Sequence, residues 1–204
     1  EDTDKERSTE DSKAEILTGL KWLGLDWDKD IIYQSKNIKS HIKIVDILLA
    51  KGLAYKCFCT KKELDEMRAK AKENGKPYIY NRKWREKNIS EAPSDVKPVV
   101  RLKVPIEERI ELKDSVLGKI EVDSKNIEDF ILLRSNNTPT YMLSVVVDDY
   151  SMEITHVIRG DDHLTNTFKQ MLIYKSMNWK TPVFSHIPLI HGQDGSKLSK
   201  RHGA

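Results

Sequence analysis

Ile16, Leu17, Leu20 and Leu23 repeat at the three-to-four-residue spacing of one helical face. Ser8, Thr9 and Ser12 offer N-caps ahead of them, Ser12 and Glu15 are spaced as a capping box, and Gly24 supplies a stop. The period returns in Ile38, Ile42, Val45 and Leu49, which predicts a second helix over about 37–51, ended by Gly52. Both helices read as covering layers for a sheet.

The pattern then changes. "AYKCFC" (54–59) reads as a strand, followed by a lysine-rich helix capped by Thr60 with Glu63 and closed by Asn74-Gly75. Residues 77–98 show little periodicity and read as irregular. From 99 to 133 the runs "VVRLKV", "RIELKD", "GKIEVD" and "DFILLRS" predict short antiparallel strands, separated by turn residues such as Gly118, Asp123 and Asn126. After "SNNTPTY" the earlier character reverts. "VVV" (145–147) and "EITHVI" (153–158) are candidate strands, and Thr165 or Asn166 can cap a helix carrying Phe168, Met171 and Leu172. "VFSHIPLI" (183–190) is a third buried strand. Strand, helix, strand at this spacing predicts a right-handed parallel crossover. The fold class is therefore α/β, interrupted by an insertion between about residues 53 and 141.

Composition narrows the function classes. The 204 residues are 38% hydrophobic and 33% charged, ordinary for a globular protein, and a net charge of +3 excludes a basic nucleic-acid arm. Apolar runs of about 18 residues and a secretory core are both lacking, so the expected compartment is the cytoplasm, with no membrane partner. Cys57 and Cys59, the two cysteines, are too close to staple the fold, which fits a reducing compartment. The chain begins "EDTDKERSTED" without an initiator Met, and both of its ends look cut from something longer.

Two charged segments fall where open α/β sheets bind ligands, beyond the carboxyl ends of strands. "IRGDDH" (158–163) gathers Arg159, Asp161, Asp162 and His163 around Gly160, between a strand and a helix. The set suits a small charged ligand; its bland alternative is a polar turn whose aspartates favour a helix N-terminus. "DGSKLSKRHGA" (194–204) cannot bury much; its glycines free the backbone while Lys197, Lys200 and Arg201 can move onto a polyphosphate. A solvated basic loop is its bland alternative.

"KLSKR" followed by "HGA" resembles the KMSKS signature of class I aminoacyl-tRNA synthetases, in the form seen in glutamyl-tRNA synthetases. "EDTDKERST", "LKWLGLDWD", "GLAYKCFCT" and "TPTYMLSVVVDDYSMEITHVIRGDDHLTNT" resemble further blocks of the same family, in its order and over essentially the whole chain. The resemblance implies a Rossmann-like class I catalytic domain (1–53 and 142–204) interrupted by an α+β insertion, the tRNA acceptor-end binding domain (54–141). It implies activation of L-glutamate with ATP and Mg²⁺ and transfer to tRNA(Glu), by a monomer. Lys197 and Lys200 match the signature lysines that neutralise the triphosphate; Ser199 and Arg201 hold its other polar positions. Arg159 matches the arginine that receives the substrate's side-chain carboxylate, Tyr141 a tyrosine of that pocket, and Glu1 an acidic residue meeting the α-amino group. Asp161, Asp162 and His163 follow as contacts to ATP or its metal. In the insertion, Arg82, Lys83 and Arg85 could meet phosphates, and Tyr80 and Trp84 could stack on an unpaired base. The lysine-rich helix before them also carries Glu63, Asp65, Glu66 and Glu73, which leaves a solvated face equally open.

Two departures qualify the resemblance. Nothing here corresponds to the family's HIGH motif or to its anticodon-binding region, so the expectation is an incomplete and inactive catalytic fragment. Cys57 and Cys59 stand where many relatives bind zinc, but "YNRKWREK" offers no further Cys or His, and two ligands do not make a structural zinc site. No metal site is expected. A glutamyl-queuosine tRNA(Asp) synthetase and a non-catalytic tRNA-binding paralogue remain as alternatives.

Overall fold

The structure, a computed structural model, describes residues 2, 8–192, 195 and 197. Helix α1 spans Glu10–Trp22 and α2 Ile38–Ala50. Thr9 caps α1 by accepting the Ser12 amide, so Ser12 is a partner of the cap and not the cap itself. Contrary to the covering-layer reading, α1 buries none of its residues: Ile16 is 58% and Trp22 84% exposed. Helix α2 does cover the core, through Val45 and Leu48.

Strand β1 (Ala54–Cys57) leads into α3 (Lys61–Glu73), which opens on the predicted capping box between Thr60 and Glu63. Strands β2 (Val99–Leu102), β3 (Arg109–Asp114), β4 (Gly118–Asp123) and β5 (Ile131–Leu133) follow. All pair antiparallel, as β1-β2-β5 and as the hairpin β3-β4, turned at Gly118 where φ is +77°.

Residues 145–147 correct the sequence reading: they lie in helix α4 (Tyr141–Ser151), not in a strand. Three consecutive β-branched residues favour a strand by propensity. Here Leu143, Val145, Val146 and Val147 are all buried, and a helix buried on every side shows no helical period to read. Its depth is pinned by Asp148, which accepts from Asn37 at 2.6 Å and pairs with the buried His41 of α2 at 2.8 Å.

The final unit is strand β6 (His156–Gly160), helix α5 (Leu164–Met177) and strand β7 (Val183–Ile187), with β6 and β7 parallel as predicted. A single 3₁₀ turn, Asp161–His163, fills the join, so α5 starts at Leu164 without the side-chain cap expected from Thr165 or Asn166. One core runs through the whole assembly, from Val45 and Leu48 through Leu102, Ile110, Leu112 and Leu132 to Leu143, Val146, Phe168, Ile173 and Phe184. The hairpin shares it because the turn after β3 docks on β7, where the Ser115 amide donates to the Phe184 carbonyl at 2.9 Å. A second cluster, Tyr55, Cys57, Phe58, Tyr80 and Trp84, packs beside α3.

Candidate active site

Parallel pairing of β6 and β7 puts Arg159 opposite His186 in register, at the carboxyl ends of both strands. Arg159 is half-buried, and its guanidinium is held on three sides. Nε donates to His186 Nε2 at 3.2 Å. One terminal nitrogen donates to Thr167 Oγ1 at 2.6 Å and to Gln170 Oε1 at 2.8 Å, both on α5. The other reaches the Tyr141 hydroxyl at 3.4 Å, from the start of α4. These acceptors are all neutral, and among the described residues no carboxylate pairs with this cation. A half-buried guanidinium without a counter-charge is expensive unless an anion visits it.

The turn after Arg159 is tight. A Cβ on Gly160 would come within 2.7 Å of Asp162 Oδ1 and 2.8 Å of Leu189 Cδ2, so a larger residue here would have to push both side chains aside. Asp162 pairs with Lys197 at 2.5 Å, and the lysine's hydrogen bond holds the carboxyl below its ordinary pKa. His191 and Lys197 bridge antiparallel, which brings Lys197 back to Asp162 just after β6. His163 meets the Tyr141 ring edge-on, with centroids 6.0 Å apart. Arg159, Tyr141, Asp162, His163 and Lys197 therefore converge on one edge. Glu1, Ser199, Lys200 and Arg201 lie outside the described residues.

Sequence reasoning missed His186, Thr167, Gln170 and Asp114. The available signal was a single imidazole inside the largely apolar segment "VFSHIPLI".

The basic cluster around Arg82, Lys83 and Arg85 is engaged internally. Arg82 and Arg85 both reach Asp129, at 3.3 and 2.9 Å; Arg82 also donates to the Ile127 carbonyl and Arg85 to that of Val104. Lys83 pairs with Glu63. Tyr80 is 1% and Trp84 5% exposed; Trp84 packs on Phe58 with centroids 5.1 Å apart, and the Arg101 guanidinium covers the Tyr80 ring at 3.8 Å. Stacking of either ring on a base is thus a reading the packing corrects: their faces are spent on the core.

Cys57 and Cys59 meet at the Tyr80 hydroxyl, 3.3 and 3.6 Å away. The hydrogen bond from the Cys59 thiol draws the Cys57 pKa down, against burial, with the Tyr80 hydroxyl helping; Cys59 is pushed up in return. Among the described residues no three His, Cys, Asp or Glu side chains cluster with metal-ligand spacing.

A parallel βαβ unit with a half-buried cation at its carboxyl edge defines an α/β domain of the kind that binds ligands at that edge, and similarity narrows the class. A family model described as "tRNA synthetases class I (E and Q), catalytic domain" matches residues 1–204. The chain is 54% identical over its whole length to glutamate–tRNA ligase 1 of Methylobacterium sp. (strain 4-46), and 55% to glutamate–tRNA ligase 2 of Rhodospirillum rubrum. It spans 43% and 44% of their lengths. A crystal structure of a glutamate tRNA ligase from Elizabethkingia meningosepticum, in complex with its amino acid, superposes with a TM-score of 0.85 at 31% identity, over 98% of this chain and 44% of that one. The glutamate–tRNA synthetase of Elizabethkingia anophelis gives 0.86 at 31% identity, over 100% and 45%. The chain belongs to the catalytic-domain family of class I tRNA synthetases for glutamate and glutamine.

Proposed function

We propose that this chain is the catalytic region of a glutamate–tRNA ligase, which activates L-glutamate with ATP and passes the glutamyl group to tRNA(Glu) in the cytoplasm. The observation that carries the reading is Arg159, a guanidinium oriented by four neutral acceptors and without a carboxylate of its own among the described residues. A substrate carboxylate completes it bidentately, whereas glutamine's neutral amide would leave a buried cation unpaired. Tyr141 borders the same pocket from α4.

Adenylate formation joins the α-carboxylate of glutamate to the α-phosphorus of ATP and expels pyrophosphate, so negative charge grows on the departing phosphates. Lysine ammonium groups can neutralise that charge, and Lys197 and Lys200 take this role, with Ser199 and Arg201 supplying further polar contacts. Before ATP arrives, Asp162 holds Lys197 through an exposed ion pair that a triphosphate can outcompete. Mg²⁺ would travel on the phosphates and neutralise them; Asp162, ionised and open to solvent, is the described carboxylate that fits beside it. Glu1 is assigned to the substrate's α-amino group. Residues 54–141 would hold the acceptor end of the tRNA, with Lys83 the most open of the basic cluster at 37% side-chain exposure.

The test is aminoacylation by the full-length protein with labelled amino acid. Charging of tRNA(Glu) with glutamate, and none with glutamine, supports the reading. Labelling of tRNA(Asp) instead would assign the chain to the base-modifying relatives, and no activation by any amino acid would mark a non-catalytic paralogue.

A further inference from the structure

Behind Arg159 lies a buried relay that reaches into the insertion. His186 Nδ1 sits 2.6 Å from Asp114 Oδ2, and both side chains are wholly buried. Asp114 is the last residue of β3, so it belongs to the hairpin and not to the strand that carries Arg159. Its Oδ1 is already occupied by the amides of Val116 and Leu117, each at 3.0 Å, and of His186 at 3.1 Å. These bonds keep the carboxylate ionised and its second oxygen facing the ring.

The donors fix the ring's tautomer. Arg159 Nε always carries a hydrogen, so its 3.2 Å bond to His186 Nε2 requires that nitrogen to be bare. The single ring proton then sits on Nδ1 and is donated to Asp114. Thr167, 2.9 Å from Nε2, can donate there while accepting from Arg159. Every hydrogen in the chain Asp114–His186–Arg159 has one consistent place.

We infer that Asp114 is a positioning residue for the amino-acid pocket: by holding His186 as the Nδ1–H tautomer it leaves Nε2 free to orient the Arg159 guanidinium. This rests on the reading that Arg159 receives the substrate carboxylate. It also means that the insertion supplies part of the pocket's support, so that movement of the β3–β4 hairpin is felt at Arg159. In Asp114→Asn, the remaining oxygen is claimed by the three backbone amides, and the new NH₂ faces Nδ1. The ring must then accept at Nδ1 and carry its proton on Nε2, where it repels the Arg159 N–H. An attraction becomes a repulsion with no change in side-chain size.

Histidine-labelled full-length protein provides a direct reading of the ring's tautomer. Long-range ¹H–¹⁵N spectra, with the His186 signals assigned by their loss in His186→Gln, should show Nδ1 protonated and Nε2 bare; protonated Nε2 overturns the inference. Asp114→Asn should switch the ring to the Nε2–H form and raise KM for L-glutamate by roughly ten- to a hundredfold, the size expected for one bond to a charged group. The KM for ATP should move much less, and Asp114→Glu, which keeps the anion, should recover part of the loss. A switched ring with unchanged glutamate KM overturns the positioning role. Arg159→Ala is run alongside: if it leaves glutamate KM unmoved while Asp114→Asn still switches the ring, the carboxylate reading is what falls.

Discussion

Asp129 is wholly buried, and its replacement by alanine should remove about 3–5 kcal/mol of stability, the range for deleting one partner of a buried ion pair. The magnitude follows from what is left behind. Asp129 accepts from the Tyr55 hydroxyl at 2.9 Å and the Val104 amide at 3.0 Å, and both are buried donors that water cannot reach. Orphaning each costs about 1–3 kcal/mol. Arg82 and Arg85, whose side chains are 21% and 14% exposed, can turn partly to solvent and add less. At roughly 2–4 °C per kcal/mol for a domain of this size, the melting temperature should fall by about 6–20 °C. Melting and urea unfolding of Asp129→Ala, Arg85→Ala and the double variant measure both the loss and its origin. The double variant should lose less than the sum, by about 0.5–3 kcal/mol, because the two residues share one interaction. Additive losses, or an unchanged melting temperature in Asp129→Ala, would refute the claim that Arg82 and Arg85 serve the fold of this chain.

Three further outcomes follow from the same geometry. Burial pushes the Asp114 pKa up, but the amides of Leu117 and Val116 and the ring and amide of His186 outweigh it and hold it at about 2. A folded pKa below the unfolded value of about 3.9 gives stability that is full above about pH 4 and lost as pH falls toward 2, on the order of 2 kcal/mol; acid unfolding of Asp114→Asn should lack that component, and an identical profile contradicts it. Lys200→Ala in the full-length protein should slow pyrophosphate exchange about a hundredfold with little change in melting, as for losing one preorganised charge partner, and an unchanged rate would remove it from the ATP site. Purified protein should contain well under one equivalent of zinc and keep its melting temperature in chelator, since two thiols cannot supply a tetrahedral site; stoichiometric zinc with sulfur coordination would show ligands that Cys57 and Cys59 alone do not provide.

Legibility of the sequence followed the physics of each element. Helix α2 could be read because one face is wet and the other dry, whereas α3, which buries no residue, announced its start through Thr60 and Glu63. Helix α4 could not, since Val145, Val146 and Val147 are all buried and no period survives. Arg159 was readable as a lone charge between an apolar strand and an acidic turn. Its support was not, because His186 meets it through strand register and Asp114 through hairpin docking, 72 residues apart in sequence from each other. Arg82 and Arg85 looked available for phosphate for the same reason: Asp129, which occupies them, lies 47 and 44 residues further on.

The central claim is that Arg159 makes the site choose a carboxylate, and the direct test is kcat/KM of the full-length enzyme for glutamate and for glutamine, with and without Arg159→Ala. Loss of one member of a buried charge pair typically costs about 2–5 kcal/mol, or roughly thirty- to several-thousand-fold at about 1.4 kcal/mol per decade. The account predicts that loss for glutamate, a much smaller one for glutamine, and so a collapse of the preference between them. Equal losses for both substrates, accompanied by a lowered melting temperature, would show instead that Arg159 braces β6 against α5 and contradict the account.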